Sequence, residues 1–96
     1  MPQIIYSQAA IQDLERLREF LKPKNPSAAQ RAAKTIIQGI KALGELPYIG
    51  RPIDALPQDF RDWLIDFGHS GYIVRYRIDA DTIVILAIRH QKEAGS

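Results

Sequence analysis

Residues 72–93 read YIVRYRIDADTIVILAIRHQKE, two runs of β-branched and aromatic residues separated by the segment DAD. The composition of each run favours a β-strand, and the segment between them favours a turn. Successive side chains of a strand point to opposite faces of its sheet. We therefore expect Tyr72 and Tyr76 on one face of the hairpin, with Arg75 and Arg77 on the other.

The length of the turn determines which side chains of the second strand share a face with the tyrosines. A three-residue turn at 79–81 places Val84, Leu86 and Ile88 on the tyrosine face and Arg89 on the arginine face. A two-residue turn shifts each pair by one position, and we expect the arginines to stay off the apolar face in either case. The hairpin is thus predicted to have one apolar face and one face that carries arginines above an aliphatic floor.

Two helices are predicted upstream of this hairpin. Apolar residues recur at helical spacing after Ser7, a good N-cap, until Pro23 ends the first helix. The second helix opens at Pro26-Ser27, where Ser27 has capping-box spacing to Gln30, and continues to about Glu45. A short turn between the helices predicts an antiparallel helical hairpin.

The remaining segments complete a two-layer domain. QIIY at 3–6 favours a short strand, the proline-containing residues 47–60 predict a loop, and the alternating residues 61–67 predict a strand that ends in a turn at 68–71. The fold class is therefore α+β, a β-α-α-β-β-β chain with an antiparallel helical hairpin packed on one face of a small antiparallel sheet. We expect one domain, residues 1–96.

Composition excludes several functional classes. The 96 residues include no cysteine, so thiolate metal sites, disulfides and cysteine nucleophiles are excluded. His69 and His90 are too far apart in sequence to form a metal-ligand motif, and no glycine-rich phosphate-binding loop is present, so we expect no metal and no cofactor. No apolar stretch approaches 18 residues, so we expect a soluble, cytoplasmic protein with no membrane partner. The net charge of +2 is only weak evidence for a nucleic-acid partner.

Five segments, taken in order, resemble the RelE/ParE superfamily of toxins from type II toxin-antitoxin modules. They are IIYSQAAIQDLERL, LGELPYIGRPI, FRDWLI, GYIVRYRIDADTIVILAI and the closing RHQKE. The resemblance covers nearly the whole chain and is greater to the ParE-like branch. It implies the β-α-α-β-β-β fold, a cognate antitoxin that wraps the toxin, growth arrest, and stabilisation of the plasmid or other replicon that carries the module.

The resemblance also implies one of two targets. ParE-like members poison DNA gyrase, whereas RelE-like members cut messenger RNA in the ribosomal A site. Contact with DNA is then expected only indirectly, through gyrase or the antitoxin. A third alternative is a degenerate toxin that binds its antitoxin and has no remaining target.

The ribonuclease alternative requires an acid or base and cations that hold phosphate. His90 would be the acid or base, and Arg77, Arg89 and Lys92 would contact phosphates. The candidate additional bases are Glu45 and Glu93. RelE-like members depend on a lysine and arginine cluster and on a tyrosine near the C-terminus, but no aromatic residue follows His90 here and residues 47–60 contain no lysine. The alternative role of His90 is a hydrogen-bonding surface residue.

The gyrase alternative requires a protein-binding surface rather than a catalytic set. Arginine, tryptophan and tyrosine are common anchors at interfaces. The candidate residues for binding the target or the antitoxin are Arg61, Trp63, Arg75, Arg77 and Arg89. For Trp63 the alternative is packing in the core under the helices. The greater resemblance to the ParE-like branch thus implies a non-catalytic gyrase poison, with an endoribonuclease as the enzymatic alternative.

Overall fold

The computed structural model describes residues 2–94, so Met1, Gly95 and Ser96 of the predicted 1–96 domain lie outside the described residues. Two long helices pack on one face of a five-stranded sheet, as the predicted two-layer α+β class requires. The elements in chain order are β1 (Gln3–Tyr6), α1 (Gln8–Leu21), α2 (Pro26–Glu45), β2 (Arg51–Pro52), β3 (Phe60–Phe67), β4 (Ser70–Asp79), β5 (Thr82–His90) and α3 (Gln91–Ala94).

Each long helix begins at a side-chain cap. The Ser7 hydroxyl accepts a hydrogen bond from the Ala10 amide at 3.0 Å, which confirms Ser7 as the N-cap of α1. The second cap differs from the prediction, because Asn25 rather than Ser27 accepts the amide of Ala28, at 3.1 Å. Pro26 then occupies the first turn, where its missing N–H costs nothing. The predicted capping box at Ser27 is wrong, and its hydroxyl instead accepts from Arg31 at 2.8 Å.

The sheet is mixed, which corrects the predicted antiparallel sheet. The strand order is β1-β5-β4-β3-β2, with β1 parallel to β5 and the other pairs antiparallel. Strand β1 comes before both helices in the chain, yet it lies beside β5, the strand that follows them and the β-meander. The short β2, predicted as loop, pairs with β3 through Arg51 and Asp62. Both additions are long-range pairings, which periodicity within one segment does not reveal.

The turn between β4 and β5 contains two residues, so the predicted three-residue pairing is wrong. Asp79 pairs with Thr82, and Ala80 in the turn adopts a left-handed φ of 53°. Tyr76 consequently faces Ile85 rather than Val84. A regular continuation of this register would turn Arg89 toward the helices.

A β-bulge in β5 returns Arg89 to the sheet face that carries Arg75 and Arg77. The pairing passes from Tyr76–Ile85 to Arg75–Ala87, which leaves Leu86 as an extra residue on β5. Beyond the bulge Ile88 is fully buried and Arg89 is exposed on the opposite face. The expectation that the arginines stay off the apolar face is therefore confirmed, although the bulge rather than the turn is responsible.

The core lies between the helices and the inner sheet face. The apolar stripe of α2 contributes three residues with 0–1% exposure, Ile36, Ile40 and Leu43. Gly39 allows α2 to approach β3 closely, because a Cβ there would lie 2.6 Å from Ile65 Cδ1. The buried members of the sheet are Ile65, Tyr72, Val74, Tyr76, Ile83, Ile85 and Ile88.

Candidate functional site

The sheet face turned away from α1 and α2, here called the open face, brings together the three arginines predicted on it. Arg75 and Arg77 alternate with the buried Val74 and Tyr76, and Arg89 follows the bulge. Helices cover only the inner face, so these side chains remain half-buried or exposed. The open face therefore has the predicted arginines in one place.

Two of these arginines pair with carboxylates of the same face. Arg75 donates from Nε and Nη2 to the two carboxylate oxygens of Asp62, at 3.0 and 3.2 Å. This bond to Asp62 raises the pKa of the Arg75 guanidinium further above its ordinary value. Arg77 donates to Asp59 at 3.3 Å and lies 4.0 Å from Asp79. The positive charge of both side chains is thus largely balanced within the protein.

The third arginine, Arg89, pairs with a carboxylate of helix α1. Arg89 Nη1 lies 3.5 Å from Asp13 Oδ1, and the other carboxylate oxygen of Asp13 accepts the Ile88 amide at 3.0 Å. Asp13 also lies 3.8 Å from Arg16 in the next turn of α1. One carboxylate of α1 therefore holds the edge of β5 just after the bulge and orients Arg89.

A shallow depression, here called the open-face trough, crosses the open face. Two adjoining cavities of about 370 and 410 Å³ share Asp62 and Ile73. The first extends toward β2 and includes Leu64, with the second extending toward Arg89. The full lining is Ile49, Arg51, Asp62, Trp63, Leu64, Ile73, Arg75, Ala87, Arg89, Gln91 and Glu93.

Arg51 is a member of this trough that the sequence reasoning missed. It is exposed and lies opposite Asp62 in the β2–β3 pairing, but Asp62 is engaged by Arg75. Among residues 2–94 the Arg51 guanidinium has no ion pair or hydrogen bond. The residue follows Gly50 in a segment predicted as loop, so only the strand pairing places it on the open face.

Arg61 and Trp63, predicted with the arginines as binding residues, lie on the inner face of β3. The Arg61 guanidinium donates to the carbonyls of Tyr48, Gly50 and Gln58 at 2.9–3.1 Å and lies over the Tyr48 ring. These bonds hold the loop between α2 and β3. Trp63 Nε1 donates to Gly39 at 3.0 Å, which ties β3 to α2. This contact favours the core-packing alternative for the indole.

His90 caps the C-terminal helix α3. Its Nδ1 accepts the Lys92 amide at 3.1 Å, and its own amide donates to Glu93 Oε1 at 2.9 Å. This reciprocal arrangement is similar to a capping box with histidine as the N-cap residue, except that the side chain accepts the N2 amide rather than the N3 amide. The imidazole also contacts the Tyr72 ring edge-on, with centroids 5.3 Å apart. Burial, together with the charge of Glu93, raises the pKa of Tyr72.

The residues predicted for a ribonuclease are divided between two places, because His90, Lys92 and Glu93 line one cavity with Arg16 of α1 and the two predicted arginines lie elsewhere. His90 lies opposite Tyr72 on the inner side of the sheet, whereas Arg77 and Arg89 lie on the open face. Glu93 is engaged by the His90 amide and, at 2.6 Å, by Arg16, and these contacts hold its pKa below the ordinary value. A lowered pKa makes a carboxylate a weaker base. Glu45 lies at the end of α2 on a different cavity.

The described residues give no sign of a metal centre or a membrane span. Within 2–94, no three His, Cys, Asp or Glu side chains are grouped so that they could hold a metal ion. None of the helices in this part of the chain is long and apolar enough to cross a bilayer.

Comparison with known proteins identifies the family. Residues 4–95 match the model for the ParE toxin of the type II toxin-antitoxin system parDE. Toxin RelE3 of Caulobacter vibrioides is 34% identical over 93 residues, covering 97% of this chain and 98% of the relative. Toxin RelE1 of the same organism is 29% identical over 90 residues, covering 94% of each chain.

Solved structures share the fold. A chain of the chromosomal ParDE system from P. aeruginosa superposes with a TM-score of 0.74 at 19% identity, covering 94% of this chain and 96% of its own. A chain of the RelBE2 toxin-antitoxin complex from Mycobacterium tuberculosis superposes with a TM-score of 0.66 at 23% identity, covering 94% and 99%. With the family match over residues 4–95, the chain belongs to the ParE/RelE family of type II toxin-antitoxin toxins.

Proposed function

We propose that this toxin arrests growth by binding DNA gyrase through its open face, without hydrolytic chemistry of its own, and that a cognate antitoxin neutralises it. The observation that carries the proposal is the character of the open face. Arg75, Arg77 and Arg89 lie over aliphatic residues and are balanced by Asp62, Asp59 and Asp13, so the face resembles an interface. Because DNA gyrase acts in the cytoplasm, the toxin acts there too.

The state of the ionisable groups supports a binding surface over a catalytic one. His90 lies opposite Tyr72 on the inner side of the sheet, away from the arginines of the open face, and Glu93 is occupied by an arginine and a backbone amide. General acid-base catalysis needs groups free to exchange protons with the substrate. Among residues 2–94, the open face combines no such group with its arginines.

The family supports the antitoxin partner and the biological role. The solved relatives include chains from a ParDE system and a RelBE2 toxin-antitoxin complex. We infer that this chain is likewise held by an antitoxin, and that the pair stabilises a plasmid or another replicon. Exposed apolar side chains such as Phe20, with 64% exposure, give a partner apolar surface to cover.

A ribosome-dependent mRNA endoribonuclease is the second candidate. It is favoured by the names of the curated relatives, toxins RelE3 and RelE1, which match nearly the whole chain. In that case the phosphate-binding residues would be Arg77, Arg89 and Lys92, with His90 as acid or base. The ribosome and mRNA would then replace gyrase as partners.

Two parallel assays with the purified toxin test the proposal. Gyrase is incubated with plasmid DNA and the toxin, and supercoiling and linear DNA are measured. Translating ribosomes are incubated with the toxin, and cleavage of the mRNA is mapped. We expect impaired supercoiling with DNA breaks and intact mRNA.

Cleaved mRNA with unaffected gyrase would overturn the proposal in favour of the ribonuclease. Expression of the toxin in bacteria without growth arrest, together with retained antitoxin binding, would identify a degenerate toxin.

A further inference from the structure

The open-face trough contains one cation whose charge is not balanced within the described chain. Arg75 is paired with Asp62 and Arg89 with Asp13, but Arg51 has no ion pair among residues 2–94. Exposed unpaired arginines on helices are ordinary solvated charges. Arg51 differs because it is at the end of a concave surface.

The floor beside Arg51 is aliphatic. Leu64 is 48% exposed and Ile49 is 41% exposed, and both line the same cavity as Ile73. Leu64 pairs with Ile73 across β3 and β4, so the two side chains form one continuous apolar surface. Exposed aliphatic surface next to an unpaired guanidinium favours a ligand that carries both an apolar group and an anion.

The chemistry of the trough favours a protein ligand over a nucleic acid. Single-stranded RNA is bound by aromatic platforms and several free cations. Trp63 borders the trough, but its indole nitrogen bonds Gly39 on the helix side. Two of the three trough arginines are already paired, so phosphate contacts would have to displace Asp62 or Asp13.

A second copy of this chain is disfavoured by charge. In a symmetric contact through the trough, Arg51 at one end would face the Arg89 and Glu93 end of the other copy, where the Glu93 carboxylate is already engaged by Arg16, so neither Arg51 would gain a carboxylate partner. The trough spans strands β2 to β5, which at about 4.8 Å per strand is about 14 Å, the length of about four extended residues. A short segment of a different protein therefore fits the surface.

We propose that the open-face trough binds a protein segment in which a large aliphatic side chain is followed closely by a carboxylate. The aliphatic side chain contacts Leu64 and Ile73, and the carboxylate pairs with Arg51. The inference rests on the proposed function for the identity of the partner, since the segment then belongs to gyrase. The chemistry of recognition does not depend on that identity.

The first experiment tests the chemistry with a synthetic probe. The methyl and arginine side-chain resonances of the full chain are followed by NMR during titration with a short peptide of alternating leucine and glutamate. The matched peptide carries lysine in place of glutamate. We expect the acidic peptide to shift the Leu64 and Ile73 methyl signals and the Arg51 Nε–H signal, and the basic peptide to shift none of them.

Variants then assign the contacts. Arg51→Ala should weaken the acidic peptide about tenfold, the usual effect of losing one charge-assisted hydrogen bond. Arg18→Ala, which removes an exposed arginine of α1 outside the trough, should leave the affinity unchanged. Shifts around Arg18 instead of the trough, no shift at all, or equal binding of the basic peptide would each overturn the proposal.

The second experiment separates this inference from the proposed function. Binding of immobilised gyrase is measured for the wild-type toxin, Arg51→Glu and Arg18→Glu. Loss of gyrase binding by Arg51→Glu, with binding retained by Arg18→Glu, supports both proposals. Peptide binding at the trough without any gyrase binding would overturn gyrase as the target and keep the recognition chemistry. Gyrase binding that is the same for Arg51→Glu and wild type would overturn the trough as the contact surface and keep the target.

Discussion

Arg75 of β4 and Asp62 of β3 form a bidentate ion pair across the centre of the open face, with hydrogen bonds of 3.0 and 3.2 Å. Its parallel geometry is the favourable one for a guanidinium and a carboxylate. The Arg75 side chain is nevertheless 47% exposed, so solvent screens most of the attraction.

We expect a double-mutant cycle of Arg75→Ala and Asp62→Ala to give a coupling of about 0.5–1 kcal/mol in urea unfolding. Asp66→Ala in place of Asp62→Ala is the matched control, because Asp66 is exposed on the same strand and should show no coupling to Arg75. A coupling above about 2 kcal/mol would mean that the pair is shielded from solvent.

The hydroxyl of Tyr76 holds the loop that follows α2. It donates to the Pro47 carbonyl at 2.6 Å and accepts the Gly50 amide at 2.9 Å, and Tyr76 is fully buried. Tyr76→Phe should lower the free energy of unfolding by about 1–3 kcal/mol, because both backbone groups lose a partner. Tyr48→Phe, at a ring that is 61% exposed, should change it by less than about 0.5 kcal/mol. Equal effects of the two changes would contradict the buried role of the Tyr76 hydroxyl.

Two glycines of α2 should respond oppositely to alanine. A Cβ at Gly44 would lie 3.6 Å from the nearest atom, Ile4 Cδ1, so Gly44→Ala should stabilise the protein by up to about 1 kcal/mol through helix propensity. A Cβ at Gly39 would lie 2.6 Å from Ile65 Cδ1, and the overpacking should cost about 1–3 kcal/mol against the same gain. Thermal unfolding of both variants measures the difference. Stabilisation by Gly39→Ala would show that Ile65 can move aside freely.

The pH dependence of stability should include a contribution from Glu93. The His90 amide, followed by Arg16, lowers the pKa of this carboxyl from its ordinary value of 4.5. A carboxyl with a lowered pKa stabilises the folded state above its unfolded pKa and loses that contribution as the pH falls through the folded pKa. The loss should therefore occur below about pH 4.5 and not near neutrality.

Glu93→Gln should remove this part of the acid sensitivity and should cost about 1 kcal/mol or less at pH 7, since the side chain is 40% exposed. Urea unfolding between about pH 7 and pH 3 compares the two proteins. If the free energy of unfolding of the wild type and of Glu93→Gln fell in parallel as the pH was lowered, Glu93 would not be a source of the acid sensitivity.

His90 is expected to be structural. His90→Ala removes the Nδ1 cap of α3 and should lower stability by about 0.5–2 kcal/mol, while growth arrest persists. His90→Asn should recover most of the stability, because an amide oxygen also caps a helix. Loss of growth arrest in both variants, with folding shown by circular dichroism, would instead indicate imidazole chemistry and the ribonuclease.

Local patterns were sufficient for the helices and for the alternation of the central hairpin. Ser7 as a cap, the stripe of α2 and the placement of Tyr72, Val74 and Tyr76 in the core follow from periodicities within single segments. The family likeness also depends only on the order of such segments. The fold class was predictable for the same reason.

The two-layer α+β class and a sheet face with arginines were therefore predictable from the sequence alone. The folded structure was needed to find the parallel β1, the pairing of Arg51 with β3, and the bulge at Leu86 that keeps Arg89 on the open face. The structure also directs the Arg61 guanidinium to the loop after α2 and the Trp63 indole nitrogen to α2, and it makes His90 a helix cap. These features depend on contacts between residues far apart in the chain. A hydrophobic pattern within one segment does not reveal which distant segment it pairs with or in which register.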